Sequence, residues 1–214
     1  MRRVFRDREE AGERLSEALA MRRLGPSVVL GIPRGGVIVA EAVAAGLGAP
    51  LDVVVPRKIG APRNAELAVG AIAPGVQVWD ERLIDRLHVP AAYLRERVSA
   101  EEAEIARRTT RYRGGRLALD LRGKTAVVVD DGLATGATAV AAIRWARARE
   151  PRRIVLAVPV APPETVRRLD TEADDTVVLA TPEGFRAVGE WYERFDQTRD
   201  EEVVAAMARS VERE

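Results

Sequence analysis

The 214-residue sequence contains no cysteine and only one histidine, His88. The lack of cysteine excludes a disulfide framework, thiolate catalysis and a zinc site built on thiolates. One histidine cannot form a multi-histidine metal site, and it leaves little basis for a Ser-His or Cys-His catalytic pair. The sequence has neither a membrane-length apolar run nor the apolar segment of a signal peptide. We therefore expect a soluble cytoplasmic protein with no membrane partner.

An excess of charge of one sign is also missing. The chain has 34 Lys and Arg residues against 33 Asp and Glu residues, a net charge of +1. Nothing in this balance indicates a nucleic-acid partner, and none is expected. The length suits one sizeable α/β core, so residues 1–214 are predicted to form a single domain.

Apolar strand patterns alternate with helical patterns between residues 28 and 180. This alternation predicts an α/β fold with a doubly wound, mostly parallel sheet of about five strands. The predicted strands are 28–32, 51–55, 126–129, 154–160 and 176–180. A first helix opening at Asp7 is predicted to serve packing alone, and a final amphipathic helix is predicted over 200–211.

The most informative stretch is 124–138, Lys-Thr-Ala-Val-Val-Val-Asp-Asp-Gly-Leu-Ala-Thr-Gly-Ala-Thr. A buried strand ends at Asp130 and Asp131, whose carboxylates suit the paired hydroxyls of a ribose. Gly136 then lets the backbone approach a phosphate at the start of a helix, where Thr135 and Thr138 add hydroxyl donors. An Asp-Gly pair alone is usually a simple turn, but the whole string is far less ordinary.

Residues 130–138 do not form a P-loop, because no lysine follows Gly136, and their glycine spacing does not fit a dinucleotide fingerprint. They resemble the 5-phosphoribosyl-1-pyrophosphate (PRPP) signature of the type I phosphoribosyltransferases: two acidic residues, three variable residues, then Thr-Gly-x-Thr. The resemblance implies transfer of the phosphoribosyl group of PRPP to a nitrogenous base, with release of pyrophosphate. It implies that the ribose and 5-phosphate contact nine residues: Asp130, Asp131, Gly132, Leu133, Ala134, Thr135, Gly136, Ala137 and Thr138.

A second strand-loop-helix unit contains Pro33-Arg34-Gly35-Gly36. Both loops follow strands of the same polarity, so they should emerge at the same edge of the sheet. The glycine pair alone could be a tight connection. Beside the aspartates it resembles the pyrophosphate loop of the same family, implying that Arg34, Gly35 and Gly36 bind the leaving group. The family often has a non-proline cis peptide here, expected at Arg34–Gly35 or Pro33–Arg34.

Arg57 and Lys58 follow the strand at 51–55 and are either further pyrophosphate ligands, which we favour, or solvated surface charges. Residues 59–64 are rich in Gly, Pro and polar types and are predicted to be a mobile segment. The resemblance implies a flexible lid over about 56–78, in which Arg63 and Glu66 are candidates to act on closure. It also implies catalytic roles for Asp130, Asp131, Arg34 and Lys58, with Mg2+ as cofactor, held by Asp130 and Asp131 directly or through water.

Residues 80–112 form a helical insertion longer than the fold requires. Its Glu and Arg residues at 101–111 predict i,i+4 pairs on a charged outer face, although its arginines could reach a phosphate. The insertion could also cover the lid or join two copies of the chain in a homo-oligomer.

The tail over 181–214 concentrates aromatic residues, which predicts either a small aromatic mini-core or a hood in which a ring stacks on the acceptor base. Phe185, Trp191 and Tyr192 are the candidate base contacts. Ala134 occupies the position where 6-oxopurine transferases have an aspartate, so the acceptor base stays open. A PRPP-binding regulator with weak or no transferase activity is the alternative function. The third possibility is a structural or interaction protein in which the site is vestigial.

Overall fold

The computed structural model describes residues 4–212. Within that range, no helix is both long enough and apolar enough to cross a membrane. In chain order the elements are α1 (Arg8–Ala20), β1 (Ser27–Gly31), α2 (Gly35–Leu47), β2 (Leu51–Val53), β3 (Arg57–Ala61), β4 (Asn64–Ala73), β5 (Val76–Trp79), α3 (Glu81–Leu87), α4 (Ala91–Arg113), β6 (Thr125–Val129), α5 (Ala137–Arg147), β7 (Arg153–Val160), α6 (Pro163–Leu169), β8 (Asp175–Ala180), a 3-10 helix (Val188–Trp191) and α7 (Asp200–Val211).

A five-stranded parallel sheet, ordered β2-β1-β6-β7-β8, forms the centre of the molecule. Alternate strand residues pack on opposite faces. Val29 and Val127 belong to the apolar core with α1, α2 and α7, whereas Val28 and Val128 belong to the core with α5. Because helices cover both faces, β1, β6 and β7 are apolar almost throughout. The predicted α/β fold with five parallel strands is confirmed.

The predicted lid segment forms a second, antiparallel sheet of three strands, β3-β4-β5. The segment over 59–64, predicted to be mobile, lies largely in strands, since β3 pairs with β4 from Arg57 to Ala61 and β4 begins at Asn64. Its mobility stays a prediction. The register shifts around Gly60, where a Cβ would lie 2.4 Å from the Ala65 carbonyl oxygen. A bulge at a glycine breaks the period-two pattern, and that pattern is the sequence signal for a strand.

Helix α4 carries a buried charged side chain in addition to the charged side chains on its outer face. Glu101, predicted to lie on that face, is 7% exposed and pairs with Arg57 and Arg97, at 2.7 Å in each case. The predicted i,i+4 pairing is confirmed for Arg108, which pairs with Glu104, and Arg107 pairs with the same carboxylate at i,i+3 spacing. Arg111 instead pairs with residues of α7. The helix therefore braces the base of the lid, and the predicted outer-face pairing is wrong for Glu101.

The carboxyl end of α4 is fixed to the parallel sheet by Asp52 in β2. The guanidinium of Arg113 donates to both Asp52 oxygens, at 2.8 and 3.2 Å, and to the Val53 carbonyl at 2.9 Å. The backbone N–H groups of Val53 and Leu119 complete the partners of this carboxylate. The side chains of Asp52 and Arg113 are only 4% and 12% exposed, so either charge would be poorly solvated without the other.

We predict that Arg113→Met lowers the free energy of unfolding by about 3 kcal/mol, because the buried Asp52 carboxylate loses its counter-charge. Urea unfolding measures the loss. Arg122→Met removes an arginine that pairs with Asp120 in solvent, and it should change stability by less than about 0.5 kcal/mol. Adding Asp52→Asn to Arg113→Met should recover part of the loss. Equal effects of Arg113→Met and Arg122→Met would contradict the burial argument.

Candidate functional site

The loops that follow β1 and β6 meet at one edge of the parallel sheet, as the sequence predicts. The two strands are neighbours, with Gly31 opposite Val129, and Ile32 N–H donates to the Val129 carbonyl at 2.9 Å. In parallel sheets this carboxyl edge is where ligands bind. Residues 33–36 and 130–138 therefore lie side by side at this edge and form the candidate site.

Contact between these two loops depends on glycine. A Cβ on Gly35 would lie 1.9 Å from Asp131 Oδ2, and one on Gly36 would lie 2.7 Å from the Asp130 Cα. A side chain at Gly36 would collide with the backbone of the facing loop, and one at Gly35 would displace the side chains of Asp131 and Arg8. The peptide bond between Pro33 and Arg34 is cis, which is one of the two positions predicted for it.

The two aspartates occupy different environments. Asp131 N–H donates to Asp130 Oδ1 at 2.9 Å, and the Asp131 side chain pairs with Arg8 at 2.8 Å. Burial, followed by the negative charge of Asp131, raises the pKa of Asp130 well above its ordinary value. Two adjacent carboxylates, of which one has a raised pKa, are typical of a functional site rather than of a stable core.

The turn from Leu133 to Thr138 leads into α5. Gly136 has φ +70° at the N-cap position, and no side chain caps the helix, so the first-turn N–H groups have no side-chain partner. Thr165 Oγ1 donates to the Ala134 carbonyl at 2.6 Å, which fixes the turn from outside. Ala134 and Thr135 are exposed, and Thr138 is half-buried. A bound phosphate suits this arrangement of backbone donors and hydroxyls.

Arg34 is held at the edge of the site by the start of α7. Its Nη1 lies 3.7 Å from Asp200 Oδ1, and the same carboxylate accepts from the Tyr112 hydroxyl at 2.7 Å and from Arg111 at 3.0 Å. The Tyr112 hydrogen bond and the neighbouring arginines hold the pKa of Asp200 below its ordinary value. Burial and the bond to Asp200 raise the pKa of Tyr112 to about 12, so its hydroxyl stays a donor.

The lid cations are paired with carboxylates. Lys58 contacts Glu66 at 2.9 Å, and Arg57 contacts Glu101 of α4. Arg63 lies at the exposed turn of the β3–β4 hairpin, in a cleft of about 730 Å3 between the lid and α4. In this conformation Arg57 and Lys58 are both neutralised by carboxylates. Their role as leaving-group ligands therefore stays a prediction.

The aromatic tail forms a mini-core that also reaches the site. The Tyr192 ring is 2% exposed and lies between those of Phe5 and Phe195, at centroid distances of 5.4 and 4.9 Å. Its hydroxyl donates to the Asp131 carbonyl at 2.6 Å. Tyr192 thus supports the aspartate loop from behind, while Phe185 and Trp191 are only partly buried and remain the candidate base contacts. Burial also raises the pKa of Tyr192, so the hydroxyl stays protonated.

The sequence gives no indication of one residue of this site, Arg8. Helix α1 was expected to serve packing alone, and that expectation was wrong for Arg8, which pairs with Asp131, 123 residues further along the chain. Its guanidinium also donates to the Asp196 carbonyl at 2.8 Å and lies 3.9 Å from the centre of the Phe195 ring. Arg8 follows an N-cap aspartate in the first turn of a helix, and nothing in the neighbouring sequence distinguishes it from an ordinary surface arginine.

We predict that Asp130→Asn stabilises the protein at neutral pH. Since the folded pKa of Asp130 is raised, its stabilising contribution is complete below the unfolded pKa of about 3.9 and is lost as pH rises through the folded value. An amide removes that loss and can still accept from Asp131 N–H. A gain of about 1 kcal/mol would raise Tm by roughly 2–4 °C for a chain of this size.

Calorimetric melting from neutral to acidic pH measures this effect, and the advantage of the variant should shrink as the pH falls. Asp131→Asn is the matched control. It weakens the pair with Arg8 and should lower Tm instead. A Tm for Asp130→Asn equal to or below that of the wild type at neutral pH would contradict the prediction.

Comparisons with known proteins agree with this geometry. A model of the phosphoribosyl transferase domain matches residues 6–193. Two Mycobacterium tuberculosis proteins, from strains CDC 1551 and H37Rv, are provisionally named phosphoribosyl transferases. Each is 48% identical to this chain over 208 residues, which cover 97% of this chain and 47% of the relative. The chain thus spans about half the length of these curated relatives.

Two solved structures are also similar. The crystal structure of TT1426 from Thermus thermophilus has a TM-score of 0.82 and 43% identity, covering 96% of this chain and 98% of that one. A Neisseria gonorrhoeae protein crystallised with bound ppGpp has a TM-score of 0.51 and 15% identity, covering 96% of each chain. The second likeness shows a shared fold alone.

Proposed function

The chain belongs to the phosphoribosyl transferase domain family, and from that premise we propose that it moves the phosphoribosyl group of PRPP to a nitrogenous base, releasing pyrophosphate. The observation that carries the proposal is the contact between two strand-end loops. Gly35 and Gly36 lie directly against Asp131 and Asp130. One loop suits a pyrophosphate and the other a ribose 5-phosphate, so a ligand with both groups would bridge them.

The ribose and 5-phosphate are assigned to residues 130–138. The carboxylates of Asp130 and Asp131 would accept from the two ribose hydroxyls and offset positive charge at C1 as the leaving group departs. The uncapped first turn of α5 and the Thr135 and Thr138 hydroxyls would bind the 5-phosphate. Pyrophosphate is assigned to Arg34, Gly35 and Gly36, with Arg57 and Lys58 joining when the lid closes.

Bond formation follows from this placement. A nitrogen of the base forms a bond to C1 while the bond from C1 to the pyrophosphate oxygen breaks, and pyrophosphate leaves with the electron pair. The base nitrogen gives up its proton. Binding of the leaving group strengthens as its charge grows, so Arg34 and Lys58 would contribute most in the transition state. Lid closure would keep water from the reacting carbon.

The residues of this site would hold Mg2+ only when PRPP is bound as well. Among residues 4–212, no group of three or more His, Asp or Glu side chains is placed to hold a metal ion. Asp130 and Asp131 provide the oxygen ligands that Mg2+ prefers, but one oxygen of each is already bonded within the protein. The ion would therefore be held mainly by pyrophosphate and ribose oxygens, with the two aspartates bound directly or through water. Bound there, it would neutralise charge on the leaving group.

The acceptor would lie under the tail, beside Phe185 and Trp191. Ala134 is exposed and has no carboxylate that could take the proton from the base nitrogen, so this proton must pass to another group or to solvent. Trp191 Nε1 and Glu190 Oε2 are buried atoms without a hydrogen-bond partner in the described part of the chain. Unpaired polar atoms in this segment favour an acceptor with its own donors and acceptors.

We predict that the protein binds PRPP in the presence of Mg2+ and that Asp130→Asn/Asp131→Asn abolishes binding. Titration calorimetry measures the affinity. A control variant, Asp85→Asn/Asp170→Asn, removes the same charge from exposed positions and should bind as the wild type does. Unchanged binding in the Asp130/Asp131 double variant would overturn the site assignment.

Incubation with PRPP, Mg2+ and a panel of purine and pyrimidine bases, followed by detection of pyrophosphate, tests the transfer itself. Pyrophosphate formed with one base and lost in the Asp130/Asp131 double variant supports the proposal. PRPP binding without pyrophosphate from any base would overturn it in favour of the PRPP-binding regulator.

We predict that Gly35→Ala lowers PRPP affinity at least about 100-fold, because the added Cβ would overlap Asp131 Oδ2 and displace the carboxylate from its present position. Calorimetry again measures the affinity. Gly48→Ala at the far end of α2 is the control: its φ is +58°, but no atom lies within 4 Å of the added Cβ. The control should melt somewhat earlier and still bind. Comparable affinities of the two variants would show that loop contact is not required.

A further inference from the structure

Arg8 contacts three parts of the molecule that converge on the site. Its Nε donates to Asp131 Oδ2 at 2.8 Å, and it lies 2.6 Å from where a Cβ on Gly35 would be. Its Nη1 donates to the Asp196 carbonyl, and its guanidinium stacks on Phe195. The side chains of Arg8 and Asp131 are 12% and 16% exposed, so solvent screens this pair only weakly.

From these contacts we infer that Arg8 is a positioning residue for the donor, which fixes the Asp131 carboxylate so that its second oxygen faces the ribose hydroxyls. The inference rests on the proposed function. Arg8 itself does not contact the ribose. It acts through Asp131, and its own orientation is set by Phe195 and Asp196 in the tail.

The hydrogen bonds of the two aspartates support this assignment. One oxygen of each carboxylate is already bonded, Asp131 Oδ2 to Arg8 and Asp130 Oδ1 to the Asp131 N–H. Among residues 4–212, no group donates to the other oxygen of either carboxylate, so these two oxygens would accept from the two hydroxyls of a vicinal diol. Without Arg8, the Asp131 side chain would be free to rotate, and repulsion from Asp130 would turn it away.

The backbone and the side chain of Asp131 are anchored separately. Tyr192 donates to the carbonyl, whereas Arg8 holds the carboxylate. Removing Arg8 therefore releases the Asp131 carboxylate, while the Tyr192 hydrogen bond still holds the Asp131 backbone. Pyrophosphate would contact Arg34 and the loop of Gly35 and Gly36, and Arg34 is held by Asp200 rather than by Arg8. Loss of Arg8 should thus affect ribose ligands selectively.

Calorimetry with three ligands tests this selectivity: PRPP with Mg2+, ribose 5-phosphate, and inorganic pyrophosphate with Mg2+. We expect Arg8→Met to weaken binding of both ribose ligands about ten-fold and to leave pyrophosphate affinity within about two-fold. Arg8→Lys keeps the charge and should restore part of the ribose affinity. A purely structural role for Arg8 would weaken binding of all three ligands or of none.

A double-mutant cycle with Asp131→Asn tests whether Arg8 acts through Asp131. In the Asp131→Asn background, adding Arg8→Met should cause no further loss of ribose affinity. Arg14→Met is the matched control, since Arg14 also lies on α1, stacks on an aromatic ring (Phe5) and donates to a backbone carbonyl, away from both loops. It should bind all three ligands as the wild type does.

The outcomes separate the two claims. If the wild type binds PRPP and Arg8→Met binds it equally well, the inference on Arg8 is overturned and the proposed function stands. Additive losses in the cycle would also overturn the inference. If the wild type binds neither ribose ligand, the proposed function itself fails. Selective, non-additive loss confirms the positioning role.

Discussion

Close packing where the loops after β1 and β6 meet is the constraint on which the site depends. Gly35 and Gly36 allow one loop to lie against Asp130 and Asp131 of the other. The parallel pairing of β1 with β6 fixes where both loops begin. Helix α1, the aromatic tail and α7 then support this contact from three sides, through Arg8, Tyr192 and Asp200.

This arrangement is unfavourable for stability, and under the proposed function it would serve binding of the donor. Asp130 is half-buried beside Asp131, so its ionised carboxylate is poorly solvated and repelled by a like charge, which lowers the stability of the folded state. Other parts of the structure offset this loss of stability. They are the two apolar layers on the parallel sheet and the buried Asp52–Arg113 pair that fixes the end of α4. Sites that oppose folding are common where function requires poorly solvated charge.

Much of the fold and the two loops of the candidate site could be predicted from the sequence, because the signals for them are contained in short segments. Strand polarity and period are properties of short segments, so the apolar run before Asp130 and the loop at Arg34 could both be placed at one sheet edge. The bounds of α7 were predicted correctly for the same reason. Arg8 and Asp200 could not be predicted, because their pairing with Asp131 and Arg34 joins segments more than a hundred residues apart. Strand β3 was missed because the bulge at Gly60 removes the alternation on which the prediction relies.

The attachment of the lid to α4 limits how it can move. Arg57 is bonded to Glu101, and the Tyr93 hydroxyl donates to the Gly60 carbonyl at 3.0 Å, so the inner part of β3 is fixed to a helix that is itself anchored at Asp52. The inner half of β4 is buried, whereas its first residues, from Asn64 to Leu67, are exposed. Closure over a ligand would therefore be a bending of the hairpin tip about the bulge at Gly60, with the root of the sheet stationary. Such a hinge would let the tip of the hairpin move over a ligand without displacing the loops at residues 33–36 and 130–138.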